Sequence, residues 1–194
     1  PPLETLHTEG LRLEPEVLRD VQSALEAASA TRQQLCNSEH SSLLTAFAKR
    51  LTPIPGLLAE LRRSIGERGE ILDSASFELA DLRHSIKQER TRVRRQLEKL
   101  LQDESLQGVF QESLVTDRNG RYVVPVRADH SGRLKGFVHD VSASGQTLYL
   151  EPATTLESNN RIQTTLHKIA REEERILAGL TAGVRKMRKE LAAN

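Results

Sequence analysis

Two stretches of heptad-spaced apolar residues constrain the fold of this chain more than any other feature. The first lies between Leu72 and Leu100 and the second between Ile162 and Leu191, and in both the apolar residues recur mostly at steps of three and four. Such a narrow apolar stripe is typical of a coiled-coil seam. We expect two helices of similar length, separated by about 45 residues, to pair antiparallel as a long lever.

The segment between the two predicted helices has the pattern of β-structure. Asn119-Gly120 is a strong hairpin signal, because a type I′ turn needs positive φ at both central positions. Pro125 cannot donate a ladder hydrogen bond, which predicts an edge or a bulge beside it. We expect a four-stranded antiparallel meander whose strands are Leu114–Arg118, Arg121–Arg127, Gly136–Val141 and Gln146–Leu150.

Three helices are predicted before the first heptad stretch. Pro15 and Pro55 each suit the first turn of a helix, and Pro53 stops a middle helix that begins near Ser38. The predicted fold is mainly α with a small antiparallel β-sheet: a helical base, a long antiparallel two-helix coiled-coil lever, and a four-stranded clamp at the far end of the lever. The predicted divisions are 1–70 for the base, 71–108 for the outgoing helix, 109–153 for the clamp and 154–194 for the returning helix.

Composition narrows the classes of function. The formal net charge is only +1, so an argument for nucleic-acid binding must rest on local clusters of charge. Cys36 is the single cysteine, which excludes an internal disulfide and a multi-thiolate metal site. The sequence shows neither an apolar run of about 18 residues nor a secretory leader, so we expect a cytoplasmic protein without a membrane partner.

The stretch "HDVSAS" contains the residue types of a catalytic triad but not their spacing. His139 and Asp140 are neighbours in a predicted strand, where successive side chains point to opposite faces. No G-x-S-x-G turn exposes Ser142 or Ser144, and no phosphate-binding loop of the Walker type occurs. We therefore expect no catalytic residue, no cofactor and no metal in this chain.

Two clusters of basic residues are better functional signals. If both hairpin turns lie at the distal end of the clamp, then Arg118, Arg121, Ser142, Ser144 and Gln146 crowd there. Arginine beside serine hydroxyls suits phosphate contacts, which position a duplex without reading its sequence. The residues expected to bind DNA are Arg118, Arg121, Ser142, Ser144, Arg127, Arg133 and Lys135. A second cluster, Lys87 to Lys99, is interpreted as the solvated flank of a coiled coil.

The run "NGRYVVPVRADHSGRLKGFVHDVSASGQTLYLEP", followed by "NNRI", resembles the clamp of the MutS type II family, the second bacterial branch of the MutS proteins. "GEILDSASFELADLRHSI" resembles the lever helix of the same family. Ala143 departs from the family, whose corresponding turn is rich in serine. The resemblance implies the lever and clamp of a dimeric, DNA-embracing ATPase that suppresses recombination. The ATPase core of the family, which uses ATP and Mg, and its nuclease domain have no counterpart in these residues.

Three hypotheses about function follow. The leading one is sequence-independent binding of double-stranded or branched DNA, by the clamp of a homodimer, to suppress homologous recombination. The second is an interaction arm that engages stalled or collided ribosomes. The third is an inert coiled-coil spacer.

Overall fold

The computed structural model describes residues 12–36, 46, 48 and 51–187. These residues are mainly α-helical with one four-stranded antiparallel sheet, which confirms the predicted fold class. The chain forms two compact units. We call Pro1–Ala80 with Ala170–Asn194 the base unit and Asp81–Ile169 the sheet unit. The division into base, lever and clamp stays a prediction.

The base unit contains two helices whose bounds the structure describes, both opened by proline as predicted. Helix α1 spans Pro15–Cys36 and buries Leu18 and Leu25. Helix α2 spans Pro55–Ser64 and ends there because Ile65 turns to extended backbone and bridges to Ile71. The helix predicted from Ser38 falls largely outside the described residues.

Helix α3 spans Phe77–Leu101, a shorter range than predicted. Its start is set by Ser76, whose Oγ accepts from the Leu79 N–H at 3.0 Å. The predicted start at 71 is followed by a 3-10 turn, Asp73–Ala75, instead. The helix ends at Leu101, before the predicted boundary at 108, and a second 3-10 turn follows. The heptad residues Leu79, Ile86, Val93 and Leu97 are buried, as their spacing predicts.

Helix α4 spans Leu156–Lys186. It begins two residues after the predicted boundary at 154, because a 3-10 turn, Ala153–Thr155, precedes it. Among its seam residues, Ile162, Ile176, Leu180 and Val184 are buried. No helix in the described part of the chain is both long enough and apolar enough to cross a membrane.

The strands are β1 (Thr116–Arg118), β2 (Arg121–Arg127), β3 (Gly136–Val141) and β4 (Thr147–Pro152). Their order across the sheet is β1-β2-β4-β3, so the predicted meander is wrong. The first three residues of β2 pair with β1 and its last four pair with β4. Because β4 inserts between β2 and β3, β3 becomes an outer strand.

The local turn signals are confirmed. Asn119 and Gly120 have φ of 55° and 75°, as a type I′ turn requires. The carbonyl of Pro125 accepts from the Gln111 N–H at 2.9 Å, on the side of β2 away from β4. On that side β1 pairs only as far as Val123, and an isolated bridge at Phe110–Val126 is the next pairing within the described chain. The predicted edge at Pro125 is therefore confirmed.

The sheet unit has an apolar core of its own. Residues from α3, from the sheet and from α4 meet there, and Leu134, Leu166 and Ile169 pack against them. The buried members are Ile86, Val93, Leu97, Val109, Val124, Val126, Leu150 and Ile162. This core holds α3 by one face and leaves its opposite face to solvent.

Candidate nucleic-acid interface

The two hairpin turns lie at opposite ends of β2. The Asn119-Gly120 turn adjoins Arg121 at the start of the strand, whereas Ala128, just after its end, donates its N–H to the carbonyl of Gln146 at 3.0 Å. The predicted crowding of Arg118, Arg121, Ser142, Ser144 and Gln146 at one end of the sheet is therefore wrong. It assumed a meander, in which both turns would face the same way.

Arg121 is occupied by a buried carboxylate. Its Nη1 donates to Glu151 Oε1 at 2.8 Å and to Oε2 at 3.0 Å, and its Nη2 donates to Asn160 Oδ1 at 2.6 Å. The Glu151 side chain is fully buried and that of Arg121 is 22% exposed. A buried charge is tolerated only when it is paired and hydrogen-bonded, so Arg121 serves to neutralise Glu151.

Two further side chains complete the shell of Glu151. Asn159 Nδ2 donates to Glu151 Oε1 at 2.8 Å, and the ring of His139 contacts Oε2. Asn159 also forms a two-way pair with the backbone of Tyr122, at 3.1 Å and 3.0 Å. We call Arg121, His139, Glu151, Asn159 and Asn160 the Glu151 network. It fixes the start of β2 against the first turns of α4.

The hairpin turn itself packs on the same helix. Gln163 donates its side-chain N–H to the carbonyl of Gly120 at 2.6 Å. The Gly120 N–H is used too, donating to Asp117 Oδ1 at 2.9 Å. This turn was expected to be distal and open to a ligand, but its backbone groups are already satisfied within the sheet unit.

Arg118 is also held internally. Its Nε lies 3.2 Å from Asp140 Oδ2, and its guanidinium carbon lies 3.8 Å from the centroid of the Tyr149 ring. Nη1 donates to Thr116 Oγ1 and to the Asp117 carbonyl. An arginine stacked on an aromatic face and paired with a carboxylate offers little free charge to a phosphate.

Arg127 and Asp129 form an exposed ion pair at the other end of β2. The Arg127 Nη2 lies 3.2 Å from Asp129 Oδ2. Hydrogen bonds from Arg127 and then from His130 hold the pKa of Asp129 well below its usual range. The positive charge of Arg127 is therefore offset by a carboxylate that stays ionised at neutral pH.

Arg133 and Lys135 keep their charge. Arg133 donates to the backbone carbonyls of Ser105 at 2.5 Å and Gln107 at 3.4 Å, which are neutral acceptors just after α3. Lys135 is exposed, and no carboxylate contacts it among the described residues. Of the five basic residues predicted from the sequence to bind DNA, only these two retain an uncompensated charge.

The serines and the residues of "HDVSAS" close the β3–β4 turn. Ser142 Oγ accepts from the Thr147 N–H at 3.0 Å and lies 3.4 Å from Ser144 Oγ. His139 and Asp140 turn to different partners, Glu151 and Arg118, as expected for strand neighbours. A bulge between Val138 and Asp140 accompanies this divergence. The arrangement does not align a nucleophile with a base.

Most of the free positive charge of the sheet unit lies on α3. Six cations in the middle and second half of the helix are exposed, and none of them contacts a carboxylate within the described part of the chain. We call them the helix cations: Lys87, Arg90, Arg92, Arg94, Arg95 and Lys99.

Two glutamates lie between Lys87 and Lys99, and only one of them is paired with a cation in the described chain. Glu89 is drawn to the inner side, where Arg161 of α4 donates to its Oε1 at 3.0 Å. Glu98 is exposed and follows Arg94 by one turn. Arg161 also donates to Glu157 and Ser158, so the returning helix neutralises one of the two acids of α3. The exposed face is left with six cations and one carboxylate.

The helix cations are spread around the exposed side of α3. Residues three or four positions apart lie along one face of a helix, which groups Lys87 with Arg90 and Arg94, and places Arg95 in line with His84, Gln88 and Thr91. A shallow groove on this side is lined by that line of residues and by their neighbours on both sides, among them Lys87, Arg92 and Lys99.

The sequence shows this surface as a cluster of charge, and the charges along the helix alone do not separate it from the solvated flank of a coiled coil. The signal that distinguishes it is the absence of acidic partners facing it. Whether such partners are present depends on which residues of α4 face α3, and this cannot be read from the charges along one helix.

The chain was also compared with known proteins. No family model matches it. An endonuclease MutS2 of Thermomicrobium roseum is 44% identical over 183 residues, which is 92% of this chain and 23% of that protein. The endonuclease MutS2 of Geobacillus sp. strain WCH70 is 36% identical over 95% of this chain and 24% of its own length. That of Pelotomaculum thermopropionicum is 38% identical over 91% of this chain and 22% of its own length.

These matches agree with the resemblance seen in the quoted runs. In "NNRI" each residue has a defined contact: Asn159 and Asn160 belong to the Glu151 network, Arg161 binds Glu89, and Ile162 lies in the core. The chain spans about a quarter of the length of the curated relatives it matches. It is similar, over about nine-tenths of its own length, to a segment of the MutS2 proteins.

Proposed function

We infer that this chain is the lever and clamp segment of a MutS type II protein, and that its sheet unit binds the phosphate backbone of double-stranded DNA without reading the sequence. The observation that carries this proposal is the set of six exposed helix cations that no carboxylate of the described chain contacts. Unpaired lysines and arginines on one surface supply the electrostatic part of nucleic-acid binding.

The proposal relocates the interface that the sequence predicts. Arg118 and Arg121 hold the sheet unit together, so the phosphate contacts come from α3, supplemented by Arg133 and Lys135. Ser142 and Ser144 remain proposed contacts of a secondary kind, through an exposed turn that carries no charge of its own. Arg127 contributes little while Asp129 is bound to it.

The relatives support a nucleic-acid partner by their name, endonuclease MutS2, which denotes enzymes that cut nucleic acid. Because this chain matches only about a quarter of those proteins, we assign it no catalytic step. ATP and Mg, in this proposal, belong to a part of the protein outside these residues. The wider proposal is a homodimeric protein that holds recombination intermediates, including branched DNA, and thereby suppresses homologous recombination.

Salt dependence tests the proposal directly. If six phosphates are neutralised, the slope of log K against log salt is about −5, since each contact contributes about −0.9 on B-form DNA. Fluorescence anisotropy with a labelled 30-base-pair duplex, at several salt concentrations from roughly 50 to 200 mM, gives this slope. Affinity is expected to fall about a thousandfold over that range.

The decisive variant replaces all six helix cations by glutamine, which has a helix propensity close to that of arginine and lysine. We expect the variant to keep its circular dichroism spectrum and to lose duplex binding. Lys168→Gln with Arg171→Gln, at exposed positions of α4, controls for non-specific removal of charge. Binding by the sixfold variant with the affinity and slope of the original protein would show that the helix cations are not the interface.

The ribosome-arm and spacer hypotheses give different results in the same assay. A spacer binds no duplex even at low salt. An arm built for ribosomal RNA co-sediments with ribosomes in the presence of excess duplex DNA, whereas a DNA-binding surface is competed away.

A further inference from the structure

Glu89 lies within the stretch of α3 that carries the helix cations, yet none of them is paired with it in the described chain. Side chains three or four positions apart are neighbours on a helix, and around Glu89 those positions hold Ser85, Ile86, Arg92 and Val93. Arg92 is the only cation among them. If the carboxylate of Glu89 were free to pair along its own helix, Arg92 would be its partner.

Arg161 of α4 holds Glu89 away from that neighbour. Its Nε donates to Glu89 Oε1 at 3.0 Å, and the Glu89 side chain is only 20% exposed. The other carboxylate oxygen, Oε2, is buried and has no hydrogen-bond partner among the described residues. A largely buried carboxylate depends on its cation, because an uncompensated charge away from water is costly. Arg161 therefore decides on which side of α3 the charge of Glu89 lies.

Arg161 is itself held in one orientation. Its Nη1 donates to Glu157 Oε1 at 2.7 Å and its Nη2 to Ser158 Oγ at 2.9 Å, both on its own helix. With Nε on Glu89, all three guanidinium nitrogens are engaged. The planar fork of arginine fixes such an arrangement in a way that the single ammonium of lysine does not. The charge of Arg161 is thus spent within the sheet unit.

We propose that Arg161 is a positioning residue of the nucleic-acid interface: by holding Glu89 against α4, it keeps the guanidinium of Arg92 free for a DNA phosphate. When Arg161 is removed, the carboxylate of Glu89 loses its cation on the inner side and pairs with Arg92, three positions further along α3. This inference rests on the proposed function and adds to it a residue that sets the charge of the interface without touching DNA.

Arg161→Gln in the full chain tests this role, with duplex binding followed by fluorescence anisotropy at several salt concentrations. The variant is expected to reduce the magnitude of the salt slope by about one, as the loss of one phosphate contact does. Adding Glu89→Gln is expected to restore the slope, because the carboxylate that takes Arg92 is then absent. Lys168→Gln removes one cation from an exposed position of the same helix and is expected to leave the slope unchanged.

Glu157→Gln provides the matched control for the rescue. Glu89 and Glu157 both bind Arg161, and either substitution removes one negative charge, but only Glu89 has a helix cation within one turn on its own helix. Combined with Arg161→Gln, Glu157→Gln is therefore expected to leave the slope reduced. Arg92→Gln combined with Arg161→Gln is expected to lower the slope by about one in total and not two, because both changes remove the same phosphate contact.

Circular dichroism checks that each variant is folded. If Arg161→Gln does not fold, Arg161→Lys carries the test, since lysine keeps the charge but holds Glu89 less firmly. The slope is then expected to fall by less than about one, and Glu89→Gln is expected to abolish that fall.

Three results would overturn the role of Arg161. They are an unchanged slope without Arg161, a rescue by Glu157→Gln as complete as that by Glu89→Gln, and a reduced slope that Glu89→Gln does not restore. The last result would mean that Arg161 contacts phosphate itself. The sixfold variant separates these failures from failure of the proposed function. If it loses duplex binding while Arg161→Gln has no effect, the helix cations still form the interface. If it binds as the original protein does, both proposals fail.

Discussion

The sheet and helix α3 carry the same residue types in opposite electrostatic states. Arg118 and Arg121 of the sheet are surrounded by acceptors, and one of those acceptors, Glu151, is fully buried. The helix cations have no carboxylate partner within the described chain and face solvent. Arginine is thus used in one region to stabilise the fold and in the other as free charge.

The difference teaches that position in a hairpin does not identify a binding residue. A cation contributes to phosphate binding by the charge that the protein itself leaves uncompensated. If Arg121 moved to a phosphate, the buried carboxylate of Glu151 would be left without its cation. The comparison therefore makes opposite predictions for the two regions: sheet arginines control stability, and helix cations control the response to salt.

The largest expected effect comes from Arg121→Ala. Removing it leaves Glu151 buried with only Asn159 and His139 as partners, which should lower the free energy of unfolding by about 3 kcal/mol. Urea denaturation measures this, and hydrogen exchange at the amides of β2 and β4 locates it. Arg127→Ala, which breaks an exposed pair, is the control and should cost less than about 1 kcal/mol. A reduced salt slope for duplex binding in Arg121→Ala, with stability unchanged, would reverse the comparison.

Glu172 extends the comparison to the base unit. Its side chain is 4% exposed, and hydrogen bonds from Arg175 and Ser76 lower its pKa from 4.5 to about 2. Because the pKa is lower in the folded state, this stabilisation is complete above pH 4.5 and is lost as the pH falls towards 2. Glu172→Gln should cost about 1–3 kcal/mol at pH 7 and flatten the acid limb of the stability profile.

The matched control for Glu172 is Glu174→Gln, in the same helix. Glu174 is 63% exposed, and its Oε1 forms a surface ion pair with Arg12 Nη1 at 3.4 Å. Exposed ion pairs contribute little, so loss of the Glu174 carboxylate should change the free energy of unfolding by less than about 1 kcal/mol. Equal acid sensitivity in both variants would mean that the buried carboxylate is not what couples stability to pH in this unit.

Arg118→Ala should have a smaller effect than Arg121→Ala. It removes a stacking contact with Tyr149 and an ion pair with the half-exposed Asp140, together worth about 1 kcal/mol. Thermal denaturation should show a modest decrease, with Arg118→Lys intermediate because lysine keeps the charge but not the planar stack. A loss as large as that of Arg121→Ala would place Arg118 in the same structural role.

Arg94→Gln represents the opposite region. Its exposed side chain has no ionic partner within the described chain, so the free energy of unfolding should stay within about 0.5 kcal/mol of the original. The salt slope for duplex binding should fall by about one. Denaturation and anisotropy on the same preparation check both halves. Destabilisation without a change of slope would assign Arg94 to the fold.

Glu98→Gln should give the smallest change and the opposite sign. Glu98 lies one turn beyond Arg94 on the exposed face and reduces the local field there. Its neutralisation should strengthen duplex binding by about two- to fivefold at low salt, with the gain lost at high salt. Weaker binding would mean that Glu98 has a positioning role that the charge argument omits.

Local features of the fold could be predicted from the sequence. The Asn119-Gly120 turn, the proline starts of α1 and α2, and the buried seam of α3 depend on neighbouring residues or short periods, and all are observed. The strand order could not be predicted. The alternation of apolar and polar residues along a strand tells which face of the sheet a residue occupies. It does not tell which strand pairs with which, so it does not predict the pairing of β2 with β4.

The state of each cation could not be predicted for the same reason. Arg121 contacts Glu151, 30 positions away in the sequence, and Asn160, 39 positions away. Contacts over such separations cannot be inferred from the pattern of neighbouring residues. The helix cations were recognised as a cluster, but their lack of partners depends on Arg161 taking Glu89 from the opposite helix. Charge clusters are local, whereas compensation of charge is a tertiary property.

The Glu151 network makes one buried carboxylate the common attachment point of several elements. It joins β2, β3, β4 and α4 through hydrogen bonds around a charge that is shielded from solvent. Breaking one of these bonds leaves the buried charge partly unpaired, which weakens the hold of every other element on it. We therefore expect the strands and the first turns of α4 to separate together rather than one at a time.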